Sequence, residues 1–534
     1  MTDPVELAPD YYLHNFFKLT QHATEFYPDF LTPDEHHWIE QFHTLNHDAQ
    51  CLLVRLLSRK GQWFRSDKLN YTEISDLSAA IHALALQRFI SVSSTLTEPE
   101  VVSALLTKPE LCIAFPELKR SLSKSELLAQ LPNTFAISFD KIEFIELQDA
   151  ALIHTLLALF FANTRQDLSQ FVLDDLGVHQ FEQCALRPES RYFQQRAELE
   201  ALLVISQLKE QFYSLEDKSK EQLIAILEAI PHSSHPSIQR KGEALINTIA
   251  RDLERLGAYQ DALTWFAKSS LPPARERQAR IFDKLDDIER MASIVTSILD
   301  TPYNVEEQEI GEKLQARLLR KQKIKVPRAT KPTVEEDRLC LDLTTQRVEL
   351  AAKSYYESQG WQVFYSENLL LNGLFGLAFW DVVFADIDKA FVNRYQHRPL
   401  DLYHADFAQK RTTQIEEVLT QIRSGNHDFI VTTFEQKQGI ANPFVHWKWL
   451  SPELIEQALK HIPSHTLAEL FKVFLSDIKL FRTGMPDLIL FNEQGYRWVE
   501  VKGPGDKLQD NQWRWIKEFQ RLEVPVRVCW VEGG

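Results

Sequence analysis

The chain has 534 residues, and at roughly 150 residues per domain it is expected to fold as three or four units. Hydrophobic residues make up 44%, which excludes disorder over most of the length. Against 59 Lys and Arg stand 75 Asp and Glu, a formal net charge of −16; this excludes a histone-like polycation and leaves nucleic-acid binding to local patches.

Met1 to Tyr12 is acidic and lacks an apolar run, so no signal peptide is expected. The five cysteines (Cys51, Cys112, Cys184, Cys340, Cys529) share no CxxC spacing, which argues against a zinc ribbon or a disulfide framework and for a reducing compartment. Tyr11 to Leu19 and Gln50 to Lys60 carry apolar residues at helical spacing. Arg55, Arg59, Lys60, Arg65 and Lys68 then reverse the local sign of charge around Trp63 and Phe64. They read either as a solvated helix face over two core aromatics or as a contact for DNA phosphates.

Tyr71 to Val92 is expected to form two short helices leading into a strand at Arg88–Val92, compatible with a winged helix. Ser123 and Glu126 have capping-box spacing at the start of a short helix over Leu122–Leu131. Ala151 to Ala162, about a dozen apolar residues, is too short to cross a bilayer and reads as a buried helix. Arg191 to Arg320 is almost purely helical. Leu256-Gly257, Tyr259, Ala262-Leu263 and Phe266 follow tetratricopeptide spacing, with a plain helical spacer as the alternative. Arg317 to Lys331 is basic and holds Pro327, so it reads as a helix end entering a linker or as a phosphate-contact strip.

Beyond the linker the pattern turns to mixed α/β. A helix is expected over Leu343–Gln359, a strand over Trp361–Tyr365, one apolar helix over Leu369–Phe384, a mostly helical insertion over Arg394–Leu470, and then strand, turn, strand, helix, strand. The informative segment is Gly484 to Gly503, two apolar runs flanking Asn492-Glu493-Gln494-Gly495, which reads as a β-hairpin. With the loop centred between Glu493 and Gln494, Asp487 lies directly opposite Glu500. Centred one residue later, Asp487 faces Lys502. Both registers leave Asp487, Glu500 and Lys502 on one face, because side chains alternate with period two.

Opposed side chains sit ~5 Å apart, where two carboxylates repel by about 3 kcal/mol at an effective dielectric near 20. A divalent cation, the Lys502 ammonium or a proton on one acid offsets that cost. Oxygen ligands beside one lysine suit Mg²⁺ or Mn²⁺ rather than zinc. A cation there would activate a water for attack on phosphorus, with Lys502 stabilising the charge that develops. The competing interpretation is an ordinary hairpin face bearing two acids and a lysine. Pro486 before the aspartate, Gly503-Pro504-Gly505 after the lysine, and the basic and aromatic Lys507–Arg521 helix favour the chemical one.

Pro486-Asp487 followed by Glu500-Val501-Lys502 is the signature of the PD-(D/E)xK nucleases. Its surroundings, RTGMPDLIL, WVEVKGPGDKLQDNQWRWI and VRVCWV, resemble the virus-type replication-repair nuclease (VRR-NUC) domain. Upstream, Gly360-Trp361, Ser366-Glu367-Asn368, Gly373 to Leu377, Phe379-Trp380-Asp381 and Pro399 to Leu402 resemble the Fanconi-associated nucleases. YYLHNFF and LVRLLSRKGQWFR are similar to bacterial members.

The resemblance implies a multidomain chain with mostly α N-terminal and middle regions and a C-terminal α/β PD-(D/E)xK core. Residues 1–190 would form a helical DNA-binding region (winged-helix and SAP-like), 191–325 a tetratricopeptide-like region, and 326–534 the VRR-NUC domain with its insertion at about 394–470. It further implies that Glu367, Asp487 and Glu500 are metal-binding acids, that the Val501 carbonyl is another ligand, and that Lys502 is catalytic.

The substrate implied is branched double-stranded DNA with a 5′ flap, cut endonucleolytically and by a 5′ exonuclease activity in interstrand crosslink repair. No membrane partner is expected, and the location expected is cytoplasmic, on the nucleoid of a bacterium. A ubiquitin-binding zinc finger is not expected, since no Cys/His cluster lies near the N-terminus. Taken alone, Glu367 is an acid well placed before an apolar helix. Lys479, Arg482 and Lys507 flank the motif as candidate phosphate contacts or as solvated side chains. A Holliday-junction or other branched-DNA endonuclease, and a non-catalytic junction-binding scaffold, remain as alternatives.

Overall fold

The computed structural model describes residues 7–132, 134–168, 171, 180–326, 332–344 and 346–533. Pro327, Arg328 and Lys331 of the expected basic linker lie outside the described residues. Two compact units account for the chain. One comprises residues 1–178, 187–207 and 233–238, the other 179–186, 208–232 and 239–534. Among the described residues no helix is long and apolar enough to cross a membrane, and the five cysteines are free.

The first unit opens with three helices, α1 (Tyr11–Phe26), α2 (Pro33–Thr44) and α3 (His47–Leu57). Thr32 and Glu35 close a capping box at the start of α2. Then come β1 (Trp63–Arg65), α4 (Leu77–Leu86), β2 (Ile90–Ser93), the short helices α5 (Pro99–Leu105), α6 (Lys108–Ala114) and α7 (Lys124–Leu128), β3 (Phe144–Leu147) and α8 (Leu152–Phe161). The strands form an antiparallel sheet in the order β1-β3-β2. Two helices were expected between Tyr71 and Val92, but only α4 forms. The Asp48 carboxylate accepts the backbone N–H groups of Ser75 and Asp76, which holds that segment in a turn, and Asp76 then caps α4. The Ser123–Glu126 capping box starts α7 as its spacing predicts.

The middle of the chain is helical as expected: α9 (Arg196–Ser214), α10 (Lys220–Glu228), α11 (Pro236–Arg255), α12 (Tyr259–Phe266), α13 (Ala274–Lys284), α14 (Ile288–Asp300) and α15 (Val305–Lys321). The C-terminal region holds β4 (Glu335–Leu341), α16 (Val348–Ser358), β5 (Gln362–Tyr365), α17 (Leu370–Ala378) and α18 (Trp380–Val383). The insertion follows with α19 (Thr412–Arg423), α20 (Asp428–Gln436), α21 (Pro452–His461), α22 (Ser464–Ser476) and α23 (Ile478–Phe481). The chain closes with β6 (Leu488–Asn492), β7 (Gly495–Lys502), α24 (Asp510–Arg521) and β8 (Val526–Gly533).

Three expectations are corrected here. β4 was not foreseen, because its charged sequence EEDRLCL carries no apolar alternation; as an edge strand it needs apolar contact on little of its surface. The helix expected over Leu369–Phe384 breaks at Phe379, whose backbone leaves helical geometry. The last helix begins at Asp510, not Lys507, because the Asp506 carboxylate accepts the Gly503 N–H and holds the preceding residues in a turn.

The five strands are ordered β4-β8-β7-β6-β5, with β4, β8 and β7 mutually parallel and the β7-β6-β5 side antiparallel. Period-two alternation divides the strand side chains between two cores. Leu488, Leu490, Val499 and Val501 pack with Ala352 and Tyr356 of α16. Ile489, Phe491 and Trp498 pack with Trp515 and Phe519 of α24 and with the insertion helices.

Candidate active site

Leu488 pairs with Val499, Ile489 with Trp498 and Asn492 with Gly495. The hairpin loop is therefore centred between Glu493 and Gln494, the first of the two registers considered. Continued by one residue, this pairing sets Asp487 opposite Glu500. Asp487, Glu500 and Lys502 extend the face that carries Ile489, Phe491 and Trp498, at the end of the sheet beside α24.

All three are buried: Asp487 is 8%, Glu500 1% and Lys502 7% exposed. The Val501 N–H donates to Asp487 Oδ2 at 2.8 Å, and Lys502 Nζ lies 2.9 Å from Glu500 Oε1. Gln512, in the first turn of α24, donates from Nε2 to the same Glu500 oxygen at 2.6 Å. Burial pushes the Asp487 carboxyl up to about 6, against the Val501 N–H bond, with the negative field of Glu367 adding to the rise. Burial pushes Glu500 up to about 8, repulsion from Asp487 adds to it, and Lys502 opposes it. Two buried acids that resist ionisation side by side are a donor set suited to a hard divalent cation, whose charge would let both ionise.

Glu367 follows β5 and is exposed. Its carboxylate accepts hydrogen bonds from the Tyr365 hydroxyl and from Asn368 Nδ2 (3.2 Å). It raises the proton affinity of both Asp487 and Glu500, so the three acids share one field. They do not form a closed ligand set: among the described residues no three His, Cys, Asp or Glu side chains are gathered closely enough to hold a metal ion. The backbone explains how Glu367 arrives there. Ser366 N–H donates to the Asp487 carbonyl at 2.7 Å, and Asn368 Oδ1 accepts the Met485 N–H at 3.3 Å, which ties the two segments together.

Sequence reasoning missed Gln512, Tyr365 and Glu349. Gln512 carried a faint signal, since a helix starting soon after a buried strand end turns its first side chains back toward that strand. Glu349, half-buried in the first turn of α16, strengthens the field on Asp487, but an acid in a helix's first turn is too common to single out.

The cations expected to contact DNA differ in their availability. Arg55 is spent on Glu73 at 2.6 Å and on the Tyr12 ring. Arg65 is 5% exposed and held by Asp67 and Glu110 at 2.9 and 2.7 Å. Burial of its guanidinium requires such partners, so neither presents a free charge. Arg59, Lys60, Lys68, Lys479 and Lys507 are exposed, and Arg482 is half-buried.

The VRR-NUC domain profile matches residues 423–533, the FAN1 HTH domain profile residues 10–91, and the Fanconi anemia-associated nuclease SAP domain profile residues 98–136. The Fanconi-associated nuclease 1 homolog of Pseudomonas aeruginosa is 35% identical, over 99% of this chain and 97% of that protein. The human Fanconi-associated nuclease 1 is 24% identical over 98% of this chain, which spans 62% of the human protein's length. Among solved structures, paFAN1 bound to 2-nt 5′-flap DNA with a gap superposes with a TM-score of 0.89 at 33% identity, covering 99% of this chain and 100% of that one. A second paFAN1 complex, with a 1-nt 5′ flap, gives 0.88 at 34% identity, with the same coverage.

Proposed function

The chain belongs to the Fanconi-associated nuclease family, and from that premise we propose that Asp487, Glu500 and Lys502, with Glu367 beside them, hydrolyse a phosphodiester of branched DNA at a 5′ flap. The protein is a structure-specific, metal-dependent DNA nuclease acting on 5′-flap DNA. The observation carrying the assignment of its residues is the buried Asp487–Glu500 pair set across a hairpin, with an ammonium 2.9 Å from Glu500.

Asp487, Glu500 and the Val501 carbonyl would seat the ion, with Glu367 as the remaining acid. The ion would be Mg²⁺ or Mn²⁺, since the donors are oxygens. When bound, it supplies water activation and charge neutralisation at the phosphoryl group. The chain's own contributions follow from its contacts. Val501 N–H fixes the Asp487 carboxylate, and Gln512 and Lys502 fix that of Glu500. The Lys502 ammonium, held beside Glu500, would stabilise the negative charge that develops on the phosphoryl group.

We further assign residues 1–190 to DNA binding through Arg59, Lys60 and Lys68, 191–325 to a tetratricopeptide-like region and 326–534 to the nuclease, with Lys479 and Lys507 beside the site. A 5′ exonuclease activity, a role in interstrand crosslink repair and a place on the bacterial nucleoid complete the proposal. The test incubates end-labelled 5′-flap, 3′-flap, four-way and plain duplex DNA with Mg²⁺ or Mn²⁺. Preferential 5′-flap cutting, lost in Asp487→Ala and in EDTA, supports it. Symmetrical cutting of the four-way junction would favour a resolvase, and a bound but intact flap a scaffold.

A further inference from the structure

We propose that Arg398, Tyr403 and Arg482 form a binding site for an internal phosphodiester of the DNA strand, a few nucleotides from the bond that is cut. This rests on the nuclease reading above and adds to it a defined anion site built partly from the insertion. The Arg398 guanidinium carbon lies 4.9 Å, and that of Arg482 5.6 Å, from the centroid of the one Tyr403 ring. Arg482 Nη1 also donates to the Tyr403 hydroxyl. That hydroxyl accepts the bond, so its own proton is left to donate to an anion. All three side chains are half-buried.

Two guanidiniums held beside one ring repel each other, and no carboxylate among the described residues forms an ion pair with either. Near Arg398 and Tyr403 in sequence, Asp401 and Asp406 already have cationic partners. Asp401 is held by Arg411 through two bonds of 2.8 and 3.0 Å, and Asp406 by Lys410 at 3.0 Å. In a protein of net charge −16, a half-buried pair of unneutralised arginines is a cost that an external anion removes. Two guanidinium forks and a phenol O–H match the several acceptor oxygens of a phosphate.

Placement favours DNA. Arg482 lies five residues before Asp487, a span of at most ~17 Å. Its segment is clamped to the site: Asn372 Nδ2 donates to the Arg482 carbonyl at 3.0 Å, and Trp515 Nε1 donates to the Phe481 and Thr483 carbonyls at 3.1 Å each. The Arg482 segment is thus fixed before any ligand arrives, which lowers the entropy lost on binding.

The test measures affinity for 5′-flap DNA across a salt series in EDTA, where no cutting occurs. Each phosphate contact contributes about 0.9 to the slope of log K against log salt. The Arg398→Ala/Arg482→Ala variant is expected to lose about 0.9 of a unit of slope, the share of one phosphate, and Tyr403→Phe to bind more weakly with slope unchanged. Unaltered affinity and slope in a double variant that melts like the wild type would overturn the inference. A folding defect in that variant is bypassed by leaving the protein intact and replacing single phosphates near the cut with neutral methylphosphonates. One position should weaken binding, and no sensitive position would overturn the inference. The assignment to an internal phosphate also fails if the site discriminates a 5′-phosphate end from a 5′-hydroxyl end. A wild type that binds flaps with the expected salt slope but cuts none would overturn the nuclease residue assignment and leave this site standing.

Discussion

At the scale of single residues, the site is governed by burial of like charge. Burial makes Asp487 and Glu500 keep their protons to a higher pH than free carboxyls in the metal-free protein, and a cation needs them ionised. Metal affinity is therefore expected to rise between about pH 6 and pH 8, with protons released on binding; calorimetry in buffers of different ionisation enthalpy checks this. The linkage to stability runs the same way. A carboxyl with raised folded-state affinity for protons stabilises the fold at acid pH, and that contribution fades as pH climbs through 6 and 8, so metal should stabilise most at the alkaline end. Lys502→Ala is expected to slow cleavage by about 10²–10³-fold, measured in single turnover with saturating metal on the folded variant. Tyr365→Phe removes the hydroxyl that steadies Glu367. It should raise the Mn²⁺ concentration needed for half-saturation, read by electron paramagnetic resonance of free Mn²⁺, while a Tyr365 without positioning work would leave that titration in place. Asp487, Glu500 and Lys502 were legible because a period-two hairpin converts spacing directly into a shared face. Glu367 was legible only through family resemblance, and Gln512 and Tyr365 act through contacts that no local pattern encodes.

At the scale of elements, the close approach of α24 to the segment before β6 decides how well the acids are held. Gly484 has φ +91, and a Cβ there would sit 2.7 Å from the backbone carbonyl of Asn511, the residue before Gln512. Gly484→Ala is therefore expected to cost on the order of 1–3 kcal/mol in chemical denaturation and to reduce cutting by displacing Gln512 from Glu500. The same element shows why some boundaries escaped prediction. α24 starts where Asp506 ends its turn, and β4 is fixed by pairing with β8 rather than by its own composition. Propensity placed β6 and β7 because their β-branched, aromatic and apolar runs are a local property.

At the scale of the molecule, the second compact unit joins α15 of the middle region to the nuclease helix α24. Arg514 on α24 pairs with Glu309 on α15 at 2.9 Å, with 9% and 24% of the two side chains exposed. A double-mutant cycle on Glu309→Ala and Arg514→Ala should give a coupling of about 1–3 kcal/mol in thermal unfolding; additivity would show that the bridge holds nothing. The sequence by itself determined the class of chemistry, the hairpin face and the helical character of the long N-terminal and middle stretches, because these follow from residue type and local period. Only the tertiary structure decided which cations remain free for DNA, how Glu367 reaches the acid pair's field, and that Arg398 and Arg482 share one tyrosine. Those outcomes depend on which distant group neutralises each charge, and such pairings arise only when the chain is packed.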